Sequence, residues 1–132
     1  MKKSIVIGII ISVILMSCGK GGGSWPGTYT GIPSGSANIN RVIITQASNN
    51  TLQMQLQIEV SGVYYTYVTI QNATVSGNNA TINENGLIAG YSDTYHFVGS
   101  AVLSGNNLTV SGSGTSTTNS SDVKLYYFSG SK

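Results

Sequence analysis

The chain of 132 residues reads as an all-β protein, an eight-stranded antiparallel up-and-down β-barrel, on three observations. First, Leu52, Met54, Leu56, Ile58 and Val60 alternate with Gln53, Gln55, Gln57 and Glu59, the period of two that a half-buried strand requires. Second, turn-forming stretches recur: Ser48-Asn49-Asn50, Ser76-Gly77-Asn78-Asn79 and Ser104-Gly105-Asn106-Asn107 begin 28 residues apart, and Gly and Asn accept the positive φ of tight hairpins. Third, another set of turn signals interleaves with these at about half that spacing: Pro33-Ser34-Gly35, Ser61-Gly62, Gly90-Tyr91-Ser92 and the stretch 115–121. Each interval holds one strand of about ten residues and one turn.

Seven turns imply eight strands: 25–32, 37–46, 51–60, 63–75, 80–89, 94–103, 107–114 and 123–129. The first opens at Trp25, and the second is bounded by its turns. The third is the clearest, since burying its five apolar side chains is worth about 10 kcal/mol in transfer terms and a slip of one residue would turn them all to water. The fourth is the most aromatic, with Tyr65 and Tyr67 on one face and Tyr64 and Thr66 on the other. The fifth contains Asn83-Glu84-Asn85-Gly86, and Asn-Gly is itself a hairpin signal. If it turns, a β-sandwich of shorter strands competes. The sixth carries His96 between Tyr95 and Phe97, and Gly99 and Ala101 beside Phe97 either leave interior space or mark a bend. The seventh and eighth complete the meander. Long antiparallel strands without a helix to cover an edge favour closure, and eight make the smallest common barrel. Alternate connections then lie at opposite ends, so the asparagine turns share one end with the start of the first strand and the finish of the last.

Ahead of this domain, Lys2 and Lys3 precede an apolar run from Ile5 to Met16, closed by Ser17. That is the layout of a secretory signal-peptide helix, residues 1–17, too short for a permanent membrane span. Leu15-Met16-Ser17-Cys18 resembles the lipobox of bacterial lipoproteins. The resemblance implies cleavage before Cys18 and a diacylglycerol thioether on its sulfur. Acyl burial contributes about 0.8 kcal/mol per methylene, so two or three chains hold firmly where one holds marginally. Residues 18–24, the lipidated Cys18 followed by Gly21-Gly22-Gly23-Ser24, form a flexible tether. In lipoproteins of this kind an aspartate after the cysteine marks inner-membrane retention; Gly19 stands there, and the resemblance therefore implies the outer membrane, with the domain facing the periplasm or the surface. Cys18 is the sole cysteine, which excludes a disulfide within the chain.

Residues 25–132 suffice for one small domain with a single core. Without residues 1–17 the charges are Lys20, Arg41, Lys124 and Lys132 against Glu59, Glu84, Asp93 and Asp122, which balance. A neutral domain offers no basic patch to a phosphate backbone, so nucleic acid is not an expected partner. Trp25-Pro26-Gly27-Thr28-Tyr29-Thr30-Gly31 is similar to the opening strand of lipocalin-like barrels, although the glycine follows the tryptophan here. That resemblance implies a small barrel holding an apolar ligand in its mouth. The residues expected to line it are Trp25, Tyr65, Tyr67, Phe97 and Tyr127, which supply apolar walls and orienting hydroxyls.

Catalysis finds no motif. His96 is the only histidine, and with Cys18 committed to lipid no zinc ligand set can be assembled; no metal and no cofactor are expected. The four acids form no acid/base motif, and a Gly-x-Ser-x-Gly elbow is absent from the sequence. Five Asn-x-Thr/Ser triplets read as turn chemistry. The expectation is a non-catalytic, monomeric, membrane-anchored protein binding a small apolar ligand. The alternative is a structural or adhesive lipoprotein that presents its distal loops to a protein or glycan.

Overall fold

The computed structural model describes residues 24–33 and 37–132. The signal peptide, Cys18 and the tether glycines fall outside the described residues, as does the Ser34-Gly35 turn. Eight strands follow in chain order: β1 Gly27–Gly31, β2 Arg41–Ser48, β3 Thr51–Val60, β4 Val63–Ser76, β5 Asn79–Leu87, β6 Thr94–Ser104, β7 Asn107–Ser116 and β8 Val123–Ser131. Each pairs antiparallel with its neighbours in sequence, and β1 pairs with β8, giving a closed up-and-down barrel rather than a sandwich. Closure runs through Thr30↔Ser131 and Gly31↔Gly130. The backbones come so close there that a Cβ on Gly31 would collide with the Ser129 carbonyl and one on Gly130 with the Thr30 carbonyl.

The repeating turns do gather at one rim. Gly77 and Gly105 both have φ of 62° as the first central residue of their hairpins, the geometry of a type II′ turn. Around this rim Val75 N–H donates to Asn50 O at 2.8 Å, Leu103 N–H to Asn78 O at 2.9 Å and Lys132 N–H to Asn106 O at 3.1 Å. The three acceptors stand 28 residues apart, so the sequence period is a period of rim hydrogen bonds. Both chain ends join them: Trp25 Nε1 donates to Gly77 O at 3.2 Å, and Lys132 Nζ donates to the carbonyls of Ser24 and Pro26.

The core is the inside of the barrel. Tyr29, Val42, Ile44, Leu52, Met54, Leu56, Ile70, Ile82, Phe97, Val110 and Phe128 are fully buried, whereas the outward positions of β2 to β4 carry residues such as Thr45, Gln53, Gln55 and Gln71. On β3 the expected face holds only as far as Leu56. Ile58 is half-buried, Val60 is 52% exposed and Gln57 is buried instead. The register between β3 and β4 shifts between Leu56 and Gln57, which pair with Val68 and Thr66, leaving Tyr67 as an extra residue in β4. The extra residue shifts the inward and outward alternation within β4, while Gln57 keeps its register with Arg41 and is buried among the side chains it bonds, Arg41, Gln55 and Thr66.

Candidate functional site

The interior that was expected to hold a ligand is occupied by the chain's own rings. Inward positions of β5, β6 and β7 include Gly86, Gly99, Gly112 and Gly114, and aromatic side chains lie in the volume these leave. A Cβ on Gly114 would stand 2.6 Å from Phe97 Cε1, and one on Gly86 would stand 3.1 Å from Phe97 Cε2, so the Phe97 ring is wedged between β5 and β7. A Cβ on Gly99 would stand 2.5 Å from the Tyr126 hydroxyl, which also fills the space above Gly112. Tyr126 donates to Val98 O at 3.3 Å, and its ring meets Phe97 edge-on with centroids 6.3 Å apart. Burial and the nearby Glu84 carboxylate push the Tyr126 phenol well above its usual range. The space beside Phe97 that Gly99 vacates is therefore filled.

The wall, by contrast, is parted between β4 and β5. β4 and β5 pair only through Thr74↔Thr81, Val75↔Ala80 and Ser76↔Asn79, and they meet again at the single bridge Val68↔Ile88. Between these points β4 contains a second irregularity, since Leu52 and Met54 of β3 pair with Ala73 and Ile70. The consecutive N–H groups of Gln71 and Asn72 are turned away from a ladder and donate instead to the Glu84 carboxylate, at 2.9 and 2.8 Å. A side chain thus stands in for backbone pairing. The Asn83 to Gly86 stretch stays within β5, paired residue by residue with β6 from Asn83↔Val98 to Gly86↔Tyr95, so the suspected turn is a parted strand.

The parting leaves a cleft of about 360 Å³ lined by Thr66, Tyr67, Thr69, Gln71, Asn85, Gly86, Leu87 and Ala89. Two hydrogen-bond chains end in its walls. On one side Thr45 Oγ1 donates to Gln53 Oε1 at 3.3 Å and Gln53 Nε2 donates to Gln71 Oε1 at 2.8 Å. On the other, His96 Nδ1 lies 2.8 Å from Asn85 Oδ1 and, as the N–H tautomer, donates to it. Behind the cleft Phe97 supports Gly86 from inside the barrel.

No family model matches the chain, and no curated protein or solved structure is significantly similar to it.

Of the residues expected to share an interior pocket, Phe97 is buried in the core and Tyr67 lines the lateral cleft. Trp25 packs against the core at the asparagine rim. Tyr65 and Tyr127 do not join them, being 53% and 39% exposed. Tyr65 is displaced because the extra residue at Tyr67 breaks the alternation that would have put the two on one face. Of the two adjacent tyrosines of β8 the inward one is Tyr126, which sits opposite Gly112, where there is room for a ring, whereas Tyr127 sits opposite Ser111. Gln71, Asn85 and Glu84 were not foreseen; the Asn-Glu-Asn-Gly anomaly in the fifth strand was their signal.

At the end of the barrel away from the asparagine rim, Tyr95 donates to Asp122 Oδ2 at 2.7 Å, Lys124 pairs with Asp122 Oδ1 at 2.6 Å, and Lys124 Nζ lies 4.8 Å from the Tyr91 ring centroid. Bonding to Lys124 and Tyr95 holds the Asp122 carboxyl below its usual range, and bonding to Asp122 raises the Tyr95 phenol to about 12. Asp93 accepts from Ser116 Oγ at 2.8 Å and Thr118 Oγ1 at 2.9 Å. These bonds tie the β7–β8 connection to the barrel.

Proposed function

We propose that this chain is a lipoprotein, anchored in the outer membrane through lipid on Cys18, whose barrel binds a small ligand without catalysis in the cleft between β4 and β5. The observation that carries the reading is that cleft, about 360 Å³, within the volume range of small-molecule sites, beside an interior that Phe97 and Tyr126 fill over the glycines of β5, β6 and β7. A wholly apolar ligand suited an empty bore. The lateral cleft instead is lined by apolar groups from Tyr67, Leu87 and Ala89 and by polar groups from Thr66, Thr69, Gln71 and Asn85, and it suits a ligand with both.

Lipid attachment agrees with the placement of the chain ends. Ser24 lies at the asparagine rim, six residues after Cys18. A tether of that length turns this rim to the membrane and leaves the cleft, whose lower edge begins at Ala89 beside the opposite turns, open to solvent. Binding without catalysis is supported by the acids, which serve separate structural bonds: Glu59 to Asn40, Glu84 to Gln71 and Asn72, Asp93 to Ser116, Asp122 to Tyr95. A second reading, a barrel that docks on a partner, is favoured by the outward apolar residues Val98 and Val102 of β6 and Tyr127 of β8.

Native mass spectrometry of the protein extracted from its own cells tests the first reading. The expected result is a reproducible bound mass that disappears when Asn85→Trp fills the cleft. A bare chain across repeated extractions would remove the ligand-binding reading and leave the second.

A further inference from the structure

We infer that the ligand of the β4–β5 cleft is a neutral saccharide; the inference rests on the reading of the cleft as a binding site. Gln71 has its carbonyl oxygen taken by Gln53, and Asn85 has its carbonyl oxygen taken by His96. Each primary amide is thereby oriented, with one carbonyl lone pair engaged and its two-hydrogen NH₂ group, which donates to nothing among the described residues, left for the cleft. Thr66 adds to this, because its Oγ1 already accepts from Gln57 Nε2 at 3.1 Å and keeps its own O–H to give. Chains of bonds running in one direction polarise their last donor, so the Thr45–Gln53–Gln71 series strengthens the amide at its end.

A cleft that offers donors from two facing strands selects a ligand rich in acceptor oxygens. Its charge is decided by what surrounds those donors. No Lys or Arg lines the cleft, and Glu84 stands directly behind Gln71 with its charge fixed on two backbone N–H groups. An anion would be repelled by that carboxylate and would find no counter-charge, while a cation would find no carboxylate in the lining and a Glu84 whose two oxygens are already engaged by backbone N–H groups. The ligand is therefore uncharged. Its apolar side is set by Tyr67, Leu87 and Ala89. Adjacent hydroxyl and ring oxygens on one edge, with a C–H face to lay on a tyrosine ring, are the chemistry of a sugar.

The test uses the full chain, labelled with ¹⁵N and held in detergent micelles, with the side-chain NH₂ signals of Gln71 and Asn85 as reporters. Maltose, cellobiose, mannobiose and chitobiose are titrated, then sulfated and sialylated oligosaccharides, then a sugar-depleted cell extract. Both NH₂ pairs should shift with at least one neutral disaccharide, at least tenfold more tightly than with any charged one. Asn85→Asp and Gln71→Met should each weaken that binding at least tenfold with an unchanged unfolding midpoint. The shifts in the unaltered chain decide the matter if either variant fails to fold. Response only to charged sugars overturns the inference. Response only to the sugar-depleted extract overturns the ligand class and keeps the cleft as a site. Silence towards every probe removes both.

Discussion

Replacing Gly114 by Ala tests whether the bore is packed as described. Its new Cβ would stand 2.6 Å from Phe97 Cε1 and 2.8 Å from Cδ1, with the Tyr95 Cβ next, at 3.5 Å. Overpacking of this kind costs about 1–3 kcal/mol, while exchanging Gly for Ala in a strand returns about 0.5–1 kcal/mol of backbone entropy. The net expectation is a loss of about 1–2 kcal/mol. Phe97→Leu alone removes part of the ring and should cost about 1–2 kcal/mol through lost burial. In the double variant the methyl at 114 occupies space that the ring has left, so the pair should be little less stable than Phe97→Leu alone. That is a coupling of about 1–2 kcal/mol, readable in urea unfolding through Trp25, the only tryptophan, which packs on the core. Additivity within about 0.5 kcal/mol would mean that ring and glycine do not share that space. The packed bore, and with it the case for a lateral site, would then be lost.

Glu84→Gln leaves one carbonyl oxygen for two backbone N–H groups and turns a donor toward them, so stability should fall by about 1–3 kcal/mol, with hydrogen exchange accelerating first at the Gln71 and Asn72 amides; unchanged exchange there would contradict the seam. The Tyr95–Asp122–Lys124 cluster should give stability two limbs in pH. Asp122 is held below its ordinary value of 3.8, so its contribution is complete above that value and is lost as pH falls through the lower, folded-state value. Tyr95 is raised from 10.0 to about 12, so its contribution is complete below pH 10 and is lost as pH rises toward 12. A melting-temperature series in which Asp122→Asn fails to flatten both limbs would reject the assignment. Cys18→Ser should move the protein from the membrane to the soluble fraction, and retention in the membrane would defeat the lipid anchor.

The strand count and its closure were legible because turn chemistry is local: Ser-Gly-Asn-Asn specifies its hairpin whatever surrounds it. Inward and outward parity was legible only where strands run without bulges. Leu52, Met54 and Leu56 face in as their alternation demands, but Ile58, Val60 and Tyr65 lie beyond an irregularity created jointly by β3 and β4, and no pattern within one strand announces it. The choice between Tyr126 and Tyr127 was similarly hidden, because Tyr-Tyr-Phe offers an aromatic on either face. What decides it is Gly112 on the neighbouring strand, a fact of pairing. The cleft was illegible for the same reason, since it is made by the failure of two strands to pair.

That failure can be traced to the repeat itself. Shifted by 28 residues, Tyr67, Gln71, Glu84 and Gly86 correspond to Tyr95, Gly99, Gly112 and Gly114. In the later copy Gly99 pairs directly with Gly112, and β6 and β7 run together without interruption from Ser104↔Asn107 to Tyr95↔Ser116. Two glycines let the backbones meet, and Tyr126 covers them from inside. In the earlier copy the equivalent positions are Gln71 and Glu84, whose side chains leave no glycine floor for a ring to cover. Glu84, on an inward position, turns sideways into the seam and takes the Gln71 and Asn72 N–H groups that would otherwise lie unpaired. One β-meander unit has therefore been built twice with the same corners and different seams: small residues give a sealed wall, and a carboxylate gives a wall held ajar. The sealed seam keeps this side of the barrel closed around its packed rings, and the open one supplies a stretch of parted strands where side chains from both strands can meet something other than each other.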